Sequence, residues 1–571
     1  MDRHALAMRG APALALFALA AAVASAQPVP LAEGEGYYHV RGARLVGPDG
    51  QPDVLRGIGL GGWLMPEGYM LRVPGHGSPT TIRELAVDVA GEEGADRYFE
   101  AFRDHYVRRE DVLALAAWGY DHVRLPFHYK VLWDDETGAF DEDGFALVDT
   151  FLGWCREAGL PVVFDLHAAP GGQSAYNIAD AHGTAGLWVG PDAAANQALT
   201  VRIWEEVARR YRDDRLVIGY DLLNEPVLPE GVTRADLRAF YVRATEAVRA
   251  IDPHHVVFIE GDFYANFFDG LAPAWDGNMV WAFHKYWSPT DPSDMARFVE
   301  LRDSTGVPLW LGETGENSND WFHEVATWAV ENGIGWNWWT HKKIETVTSP
   351  LSAPMQPGYR DLVRYWRGEG PKPDRATAEA ALLAQARALD LDSTAFRPDV
   401  LWALFDPAWD REAVPYRPHA LPGTIDAVDY DLGADGVGYH DARSKNEQGT
   451  PGLANEGGVY RNDGVDITRS DVPGGPAYRV GWTEPGEWLQ YTVTVPQGGR
   501  FVARARVTGA PGRLALDVDG ERWAVADAPA SDGAWADIAL GSGRIPPGVH
   551  TVRISILDGT PDLGQLLFTS D

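Results

Sequence analysis

The chain has little cysteine, little positive charge and few long apolar runs, and each shortage excludes something. A single cysteine, Cys155, among 571 residues permits neither an internal disulfide nor a thiolate metal cluster. Within the helix-like segment 145–158 it reads as a small buried residue. Lysine and arginine number 49 against 82 acidic residues, a formal charge of −33. That balance removes the cationic surface a general nucleic-acid binder needs and disfavours a polyanionic substrate. The one long apolar run, Ala11–Ala22, is short for a membrane span. Arg3 and Arg9 flank or precede it, and Ala24-Ser25-Ala26 follows, which is the pattern of a cleavable secretory signal over residues 1–26. The expectation is an exported protein, secreted to the periplasm or medium, with no membrane span.

What is present supports two folded units. The length exceeds that of one ordinary domain, and 45% apolar with 11% aromatic residues suffices for sizeable cores. Between Val54 and about Arg364, eight apolar runs read as strands: Leu55–Gly59, Tyr120–Leu125, Pro161–Leu166, Val217–Leu223, Val256–Glu260, Met279–His284, Pro308–Gly312 and Ile334–Trp339. Amphipathic segments with helical spacing lie between them, such as 196–211, 234–251 and 321–331. Eight strand–helix alternations predict an α/β fold, a closed (β/α)8 TIM barrel, rather than an open sheet, and no glycine-rich phosphate loop follows the first strand. Residues 371–391 read as a closing helix. From Thr424 the texture changes to short alternating runs at 488–495, 501–507, 514–518 and 549–557, with Asp519-Gly520 as a hairpin signal. This tail predicts an all-β, jelly-roll-like sandwich. The expected division is a signal at 1–26, a catalytic barrel with a helical extension at 27–403, a proline-rich linker at 404–423 and the sandwich at 424–571.

In such barrels function gathers at the C-terminal strand ends, and polar residues collect there. The second strand ends at Arg124 and the third at Asp165-Leu166-His167. The fourth ends at Asn224-Glu225-Pro226, the sixth at His284-Lys285-Tyr286, the seventh at Glu313 and the eighth at Trp338-Trp339. His284 and Tyr286 share a strand face by the two-residue period. Asn224 and Glu225 are adjacent, so both reach the cleft only if the strand ends or bends there. Glu225 and Glu313 are the catalytic candidates, since two carboxylates at one mouth suit glycoside hydrolysis. Zinc also accepts histidine and carboxylate ligands, but the chain has neither a His-x-His pair nor a His-Glu-x-x-His run, and no metal site is assigned. Trp339 is a candidate sugar platform, with Trp63, Glu67 and Gln173 as further subsite candidates.

Arg124, His167, Asn224-Glu225-Pro226, His284, Tyr286, Glu313 and Trp339, taken in order, resemble the pattern of glycoside hydrolase family 5. The stretch Gly61-Gly62-Trp63 through Glu67, with His167-Ala168-Ala169-Pro170-Gly171, is similar to the exo-β-1,3-glucanase side of that family. The resemblance implies a retaining double displacement with Glu225 as acid and base and Glu313 as nucleophile. It also implies that Arg124 keeps Glu313 ionised, that Tyr286 donates to it and that Asn224 holds the sugar 2-hydroxyl. The substrate class it implies is a β-glucan, with another β-glycan or a non-catalytic glycan-binding role as alternatives. No cofactor is needed for that chemistry, and a monomer is expected.

The tail runs Gly438-Tyr439-His440-Asp441, Val459-Tyr460-Arg461 and Gly481-Trp482 through Gly486-Glu487-Trp488 resemble carbohydrate-binding module family 6. The resemblance makes Tyr460, Trp482 and Trp488 candidate glycan contacts. A structural calcium near Asp426 is disfavoured, because Val428 stands where an oxygen donor is expected.

Overall fold

The computed structural model describes residues 36–447 and 454–571. The expected signal segment, 1–26, lies outside the described residues. The centre of the larger unit is a closed parallel barrel of eight strands. They are β1 (Arg56–Gly59), β2 (His122–His128), β3 (Val162–Ala168), β4 (Val217–Asp221), β5 (Val256–Glu260), β6 (Met279–Lys285), β7 (Leu309–Gly315) and β8 (Gly335–Trp339). Each pairs with its sequence neighbour, and β8 closes onto β1 through Trp336–Arg56, Asn337–Gly57 and Trp338–Ile58. Strands β2 through β8 are buried at every position, as expected where helices cover the outside and side chains fill the inside. The sequence runs located all eight, with ends displaced by a few residues.

The surrounding helices are α1 (Pro79–Tyr106), α2 (Arg109–Ala117), α3 (Glu142–Ala158), α4 (Ala193–Tyr211), α5 (Arg234–Arg249), α6 (Pro292–Thr305) and α7 (Asn319–Glu331). Three more follow the barrel, α8 (Pro357–Trp366), α9 (Arg375–Arg387) and α10 (Pro398–Phe405). Local chemistry sets their ends. Asp141 caps α3 by accepting the amides of Asp143 and Gly144, and Gly159 ends it in the left-handed conformation at φ 72°. The inner face of α3 carries Phe145, Val148, Phe151, Leu152 and the fully buried Cys155, whose thiol is pushed up by burial and is therefore unreactive. A capping box of Thr233 and Asp236 starts α5. Helix α1 breaks direction at Gly91 (φ 72°), where Arg375 of α9 donates to the carbonyl of Ala90 at 2.6 Å.

The sandwich is built on β9 (Gly423–Asp426), β10 (Trp488–Val495), β11 (Gly499–Val518), β12 (Glu521–Ala528), β13 (Ser531–Ile545) and β14 (Gly548–Ser570). Strand β10 alternates inward and outward residues, and Leu489, Tyr491, Val493 and Val495 point into a core with Phe501, Leu514, Leu516, Ile554, Ile556 and Phe568. The separate runs expected at 501–507 and 514–518 are one long strand. Irregular pairing between Gly509 and Gly512 lets the chain bend there without leaving the sheet. Asp519 (φ 51°) and Gly520 (φ 80°) form the expected two-residue turn into β12.

The stretch expected to be a linker is not an open tether. Trp409 is fully buried against Trp402 of α10, and its Nε1 donates to Asp320 Oδ1 at 3.1 Å. Val414 and Leu432 exchange backbone hydrogen bonds at 3.0 and 2.7 Å. Prolines in this segment therefore shape a packed connection, and its tryptophan was the signal against a free linker. Among the described residues no helix is long and apolar enough to cross a membrane.

Candidate active site

The C-terminal ends of the strands surround a cleft of about 680 Å3 whose lining includes Glu67, Tyr69, His167, Glu225, Tyr264, His284, Tyr286, Glu313, Glu316 and Trp339. Strand β4 ends at Asp221, and Glu225 sits at φ 42°, a left-handed conformation costly for a residue with a side chain. This bend lets Asn224 and Glu225 both turn towards the barrel axis. The amide of Glu225 donates to Glu260 Oε2 at 2.5 Å, so a buried carboxylate on β5 holds the bend.

Glu225 and Glu313 face one another across His284. The imidazole Nδ1 lies 2.7 Å from Glu225 Oε1 and 3.7 Å from Glu313 Oε2, and its Nε2 lies 3.2 Å from Glu260 Oε1. One oxygen of Glu225 lies within 4.8 Å of one oxygen of Glu313. Burial opposes a charge on His284, but Glu260 and Glu313 outweigh it and raise its pKa well above the ordinary value. These charges favour the imidazolium form of His284, whose Nδ1 donates to Glu225 while Nε2 is ion-paired with Glu260.

Arg124 is the hub beneath the cleft. Fully buried, it donates to Glu313 Oε1 and lies 3.1 Å from Asp165, 2.9 Å from Asp221 and 3.1 Å from Glu260. One guanidinium cannot balance four buried carboxylates, so some retain protons. Burial and then the neighbouring Glu260 raise Asp221 well above the ordinary range, and burial holds Asp165 up to about 8. Glu260 is lowered overall despite its burial, because His284 and Arg124 favour its charge. Glu313 is raised by burial, while His284 and Arg124 pull in the opposite direction. Its Oε2 accepts from the Tyr286 hydroxyl at 3.0 Å.

His167 donates or accepts at Asp165 Oδ2, 2.7 Å from Nδ1, and burial lowers its pKa to about 4. It is neutral and stacks on Trp339, with ring centres 5.2 Å apart and planes within 5°. Trp339 lies flat over Gly59 and Gly61, where an added Cβ would come within 2.8 and 2.5 Å of the indole. Its Nε1 donates to Tyr69, whose hydroxyl donates to Glu316 Oε1 at 3.2 Å. Glu67 lines the cleft almost fully buried. Burial, then the charges of Glu313, Glu316 and Glu225, keep it protonated well above the usual carboxyl range.

Other candidates fall elsewhere. Trp63 is 1% exposed, packs near Phe151 and donates from Nε1 to the carbonyl of Arg103, so it belongs to the core behind α1 and α3. The run that contains it serves the cleft through Gly61, which makes room for Trp339. Gln173 is fully buried and bonds the carbonyls of His167 and Asn224 at 2.7 Å, tying two loops rather than facing a ligand. Asn224 is also fully covered, with Oδ1 2.9 Å from Arg124, so what it holds in the structure is the hub. Asp221 and Glu260 were missed by sequence reasoning, although both end apolar strands and could have been flagged by that position.

In the sandwich the three aromatic candidates have different surroundings. Trp482 is 51% exposed at φ 48°, an outward aromatic free to meet a ligand. Trp488 is half-buried with the Arg553 guanidinium 3.7 Å over its ring, and the hollow beside it is only about 10 Å3. Tyr460 packs on Tyr478 and Tyr416, its hydroxyl donates to Asp429, and its carbonyl accepts from Arg397 next to α10. It is a seam residue rather than an open contact. Asp426 Oδ1 accepts from the Gln565 amide at 2.7 Å.

Residues 88–344 match the cellulase family, glycosyl hydrolase family 5, and residues 461–568 match carbohydrate binding module family 35. The barrel region thus matches family 5 glycosyl hydrolases and the sandwich region a family 35 module, while the family 6 resemblance of the sandwich motifs is not confirmed. The matched stretch of the sandwich includes Trp482 and Trp488 and begins one residue beyond Tyr460. Among curated proteins the chain is 33% identical over 305 residues to a β-xylosidase of Phanerodontia chrysosporium, covering 49% of this chain and 61% of that protein. It is 35% identical over 186 residues to endoglucanase C of Acetivibrio thermocellus, covering 32% and 51%. It is 29% identical over 245 residues to a probable glucan 1,3-β-glucosidase A of Aspergillus clavatus, covering 41% and 56%. The chain spans between about half and three fifths of these relatives.

Proposed function

We propose that the protein is an exported β-glycoside hydrolase that cleaves a β-glucan with retention of configuration. The observation that carries this is the approach of Glu225 and Glu313 to within 4.8 Å, oxygen to oxygen. Retaining enzymes place the two carboxyl groups about 5–5.5 Å apart, whereas inverting enzymes need roughly 6.5–9.5 Å to admit water. Glu313, with Arg124 on Oε1 and Tyr286 on Oε2, is the nucleophile that attacks the anomeric carbon. Arg124 works against the burial that raises this carboxyl, and the two partners fix the orientation of the attacking oxygen. Glu225 has Oε1 engaged by His284, leaving Oε2 to deliver a proton to the departing glycosidic oxygen. In the second half the same oxygen takes a proton from water, which attacks the glycosyl–Glu313 ester and frees the carboxylate. These steps use side chains alone, without a cofactor.

Two features support a glycan longer than the cleaved unit. Tyr176 and Phe263, 49% and 51% exposed, flank Tyr264 at the edge of the cleft, where aromatic faces suit sugar rings. Phe263, Tyr264 and Ala265 all have positive φ, strain that concentrates at binding sites. Glu67, held protonated, can donate to a sugar hydroxyl. The choice of β-glucan rests on the early glycine-rich run and on the endoglucanase and glucan glucosidase among the relatives. Export rests on residues 1–26.

Laminarin, carboxymethyl-cellulose, mannan and xylan, each incubated with the protein, test the reading through release of reducing ends. Release from a β-glucan, with the β-anomer appearing first by NMR, is expected. Release from xylan alone would move the substrate to the chemistry named for the fungal relative, and the α-anomer first would overturn retention. No release from any of them would leave a glycan-binding protein.

A further inference from the structure

The loop that follows the nucleophile strand is held from outside the barrel. After Glu313 the chain runs through Glu316, which lines the cleft, into Asn317, Ser318, Asn319 and Asp320 at the start of α7. All four are buried, and Asn317, Asn319 and Asp320 find partners in the sandwich. Asn462 Nδ2 donates to the Asn317 carbonyl and to Asn319 Oδ1, both at 2.9 Å. The Asn319 amide donates to the Asn462 carbonyl at 2.7 Å, and its side chain donates to Asp463 at 3.1 Å. Asn317 and Asn446 form a reciprocal pair, at 2.6 and 2.9 Å. Asp320 Oδ2 accepts from the Tyr439 hydroxyl at 2.9 Å and from the Asp435 amide at 3.0 Å.

A second contact reaches the loop after β6, which carries His284 and Tyr286. Lys445 pairs with Glu324 at 2.9 Å, and Glu447 accepts from the Thr290 amide at 3.4 Å, one residue beyond the cleft residue Pro289. Trp321 ties the two loops by donating to the Ser288 carbonyl at 2.8 Å. Inside the cleft, Glu316 passes the arrangement on. Its carbonyl accepts from Trp287, and its carboxylate bonds Tyr69 and Lys343, with Tyr69 in turn bonded to Trp339.

A seam made only to tether a module could be apolar or solvent-exposed. This one is buried, polar and directional, and its hydrogen bonds converge on three of four consecutive residues, Asn317, Asn319 and Asp320. Left without partners, those groups would cost stability and the loop would rearrange to meet water. We propose that the sandwich is a positioning element of the catalytic site, with Tyr439, Asn446 and Asn462 holding residues 317–320 so that Glu316 and Glu313 keep their places. The inference rests on the hydrolase reading above.

Tyr439→Phe and Asn462→Ala in the full chain test it, with Val549→Ala, an exposed sandwich residue, as the control. Initial rates on a 4-nitrophenyl β-glucoside and amide hydrogen exchange over 316–320 are measured well below each variant's unfolding temperature. Both variants are expected to lose about tenfold or more in kcat, since displacements of an ångström at a catalytic group cost up to roughly a hundredfold. KM should change less than about threefold, and exchange over 316–320 should accelerate, while Val549→Ala changes neither. Unchanged kcat in folded variants would overturn the proposal, whether or not exchange accelerates. Should Asn462→Ala fail to fold, Tyr439→Phe, which removes a single oxygen, decides. If the unaltered protein releases reducing ends from none of the four polysaccharides, the hydrolase reading fails instead, and exchange still reports whether the sandwich holds the loop. If it cleaves them but not the aryl glucoside, the variants' rates are read on the polysaccharide.

Discussion

The barrel mouth and the sandwich surface treat polar and aromatic side chains in opposite ways. At the mouth, charges are buried and interlocked: Arg124 meets four carboxylates, and His284 lies between Glu225, Glu260 and Glu313. On the sandwich the outstanding feature is an exposed indole, Trp482, with no such enclosure. Chemistry on a glycosidic bond needs charges that do not reorganise as the reaction proceeds, and burial with fixed partners supplies that. Holding a polymer needs only a face that water leaves readily. A residue at the mouth therefore matters through its neighbours, while one on the sandwich surface matters through its own area.

The largest effect expected from breaking this contrast is at Glu313. Glu313→Ala should lower kcat by about 10^4-fold or more, as loss of a nucleophile does elsewhere, while leaving binding to the polysaccharide intact in a pull-down assay. Retained turnover would remove Glu313 from its role.

Next comes Glu260, which touches no substrate. Glu260→Gln withdraws the charge that favours the imidazolium of His284 and weakens the hold on the Glu225 amide. It should cost about a hundredfold in kcat. Because Glu260 raises the pKa of His284, its removal lowers that pKa, and the alkaline limb of the rate profile should move to lower pH. An unshifted limb would mean that His284 does not govern it.

Asp320 gives a smaller effect, on stability. Burial, together with Asp463, raises its carboxyl to about 7 in the fold, against an ordinary value near 3.8. A raised carboxyl retains its proton in the fold while the unfolded chain has lost it, so stability is fullest below the ordinary pKa and declines up to the folded one. Asp320→Asn, which does not titrate, should therefore gain in Tm relative to the unaltered protein between about pH 4 and pH 7, with no further change above. A constant difference across that window would count against a protonated Asp320.

The smallest effect belongs to the open surface. Trp482→Ala should weaken retardation in a β-glucan gel by about 1 kcal/mol, the scale of one aromatic contact. An unchanged mobility would place the glycan site elsewhere on the sandwich.

The sequence made the barrel legible because each strand is a bounded apolar run and each helix keeps its period, patterns set by local packing. The polar residues at strand ends were legible for a related reason: apolar runs that stop at Arg124, His167, Glu225, His284 and Glu313 do so at one end of one barrel. Asp221 and Glu260 escaped because a carboxylate inside the barrel looks like any other strand terminus until its partners are known. Trp63 and Tyr460 misled for a different reason. Large aromatics serve cores and binding faces alike, and only three-dimensional packing separates the two. The segment 404–423 misled because its prolines suggest an open chain, whereas burial of Trp409 and pairing of Val414 with Leu432 depend on contacts distant in sequence.

The seam between barrel and sandwich bears on how this chain could be recombined. A module joined by a flexible tether can be exchanged for another with little regard to its surface. Here Tyr439, Asn446 and Asn462 are shaped to residues 317–320, so a substituted sandwich would have to reproduce those donors and acceptors at the same positions. Chimeras of this protein would thus have their natural crossover points outside the pair of units, and the two halves would be inherited together.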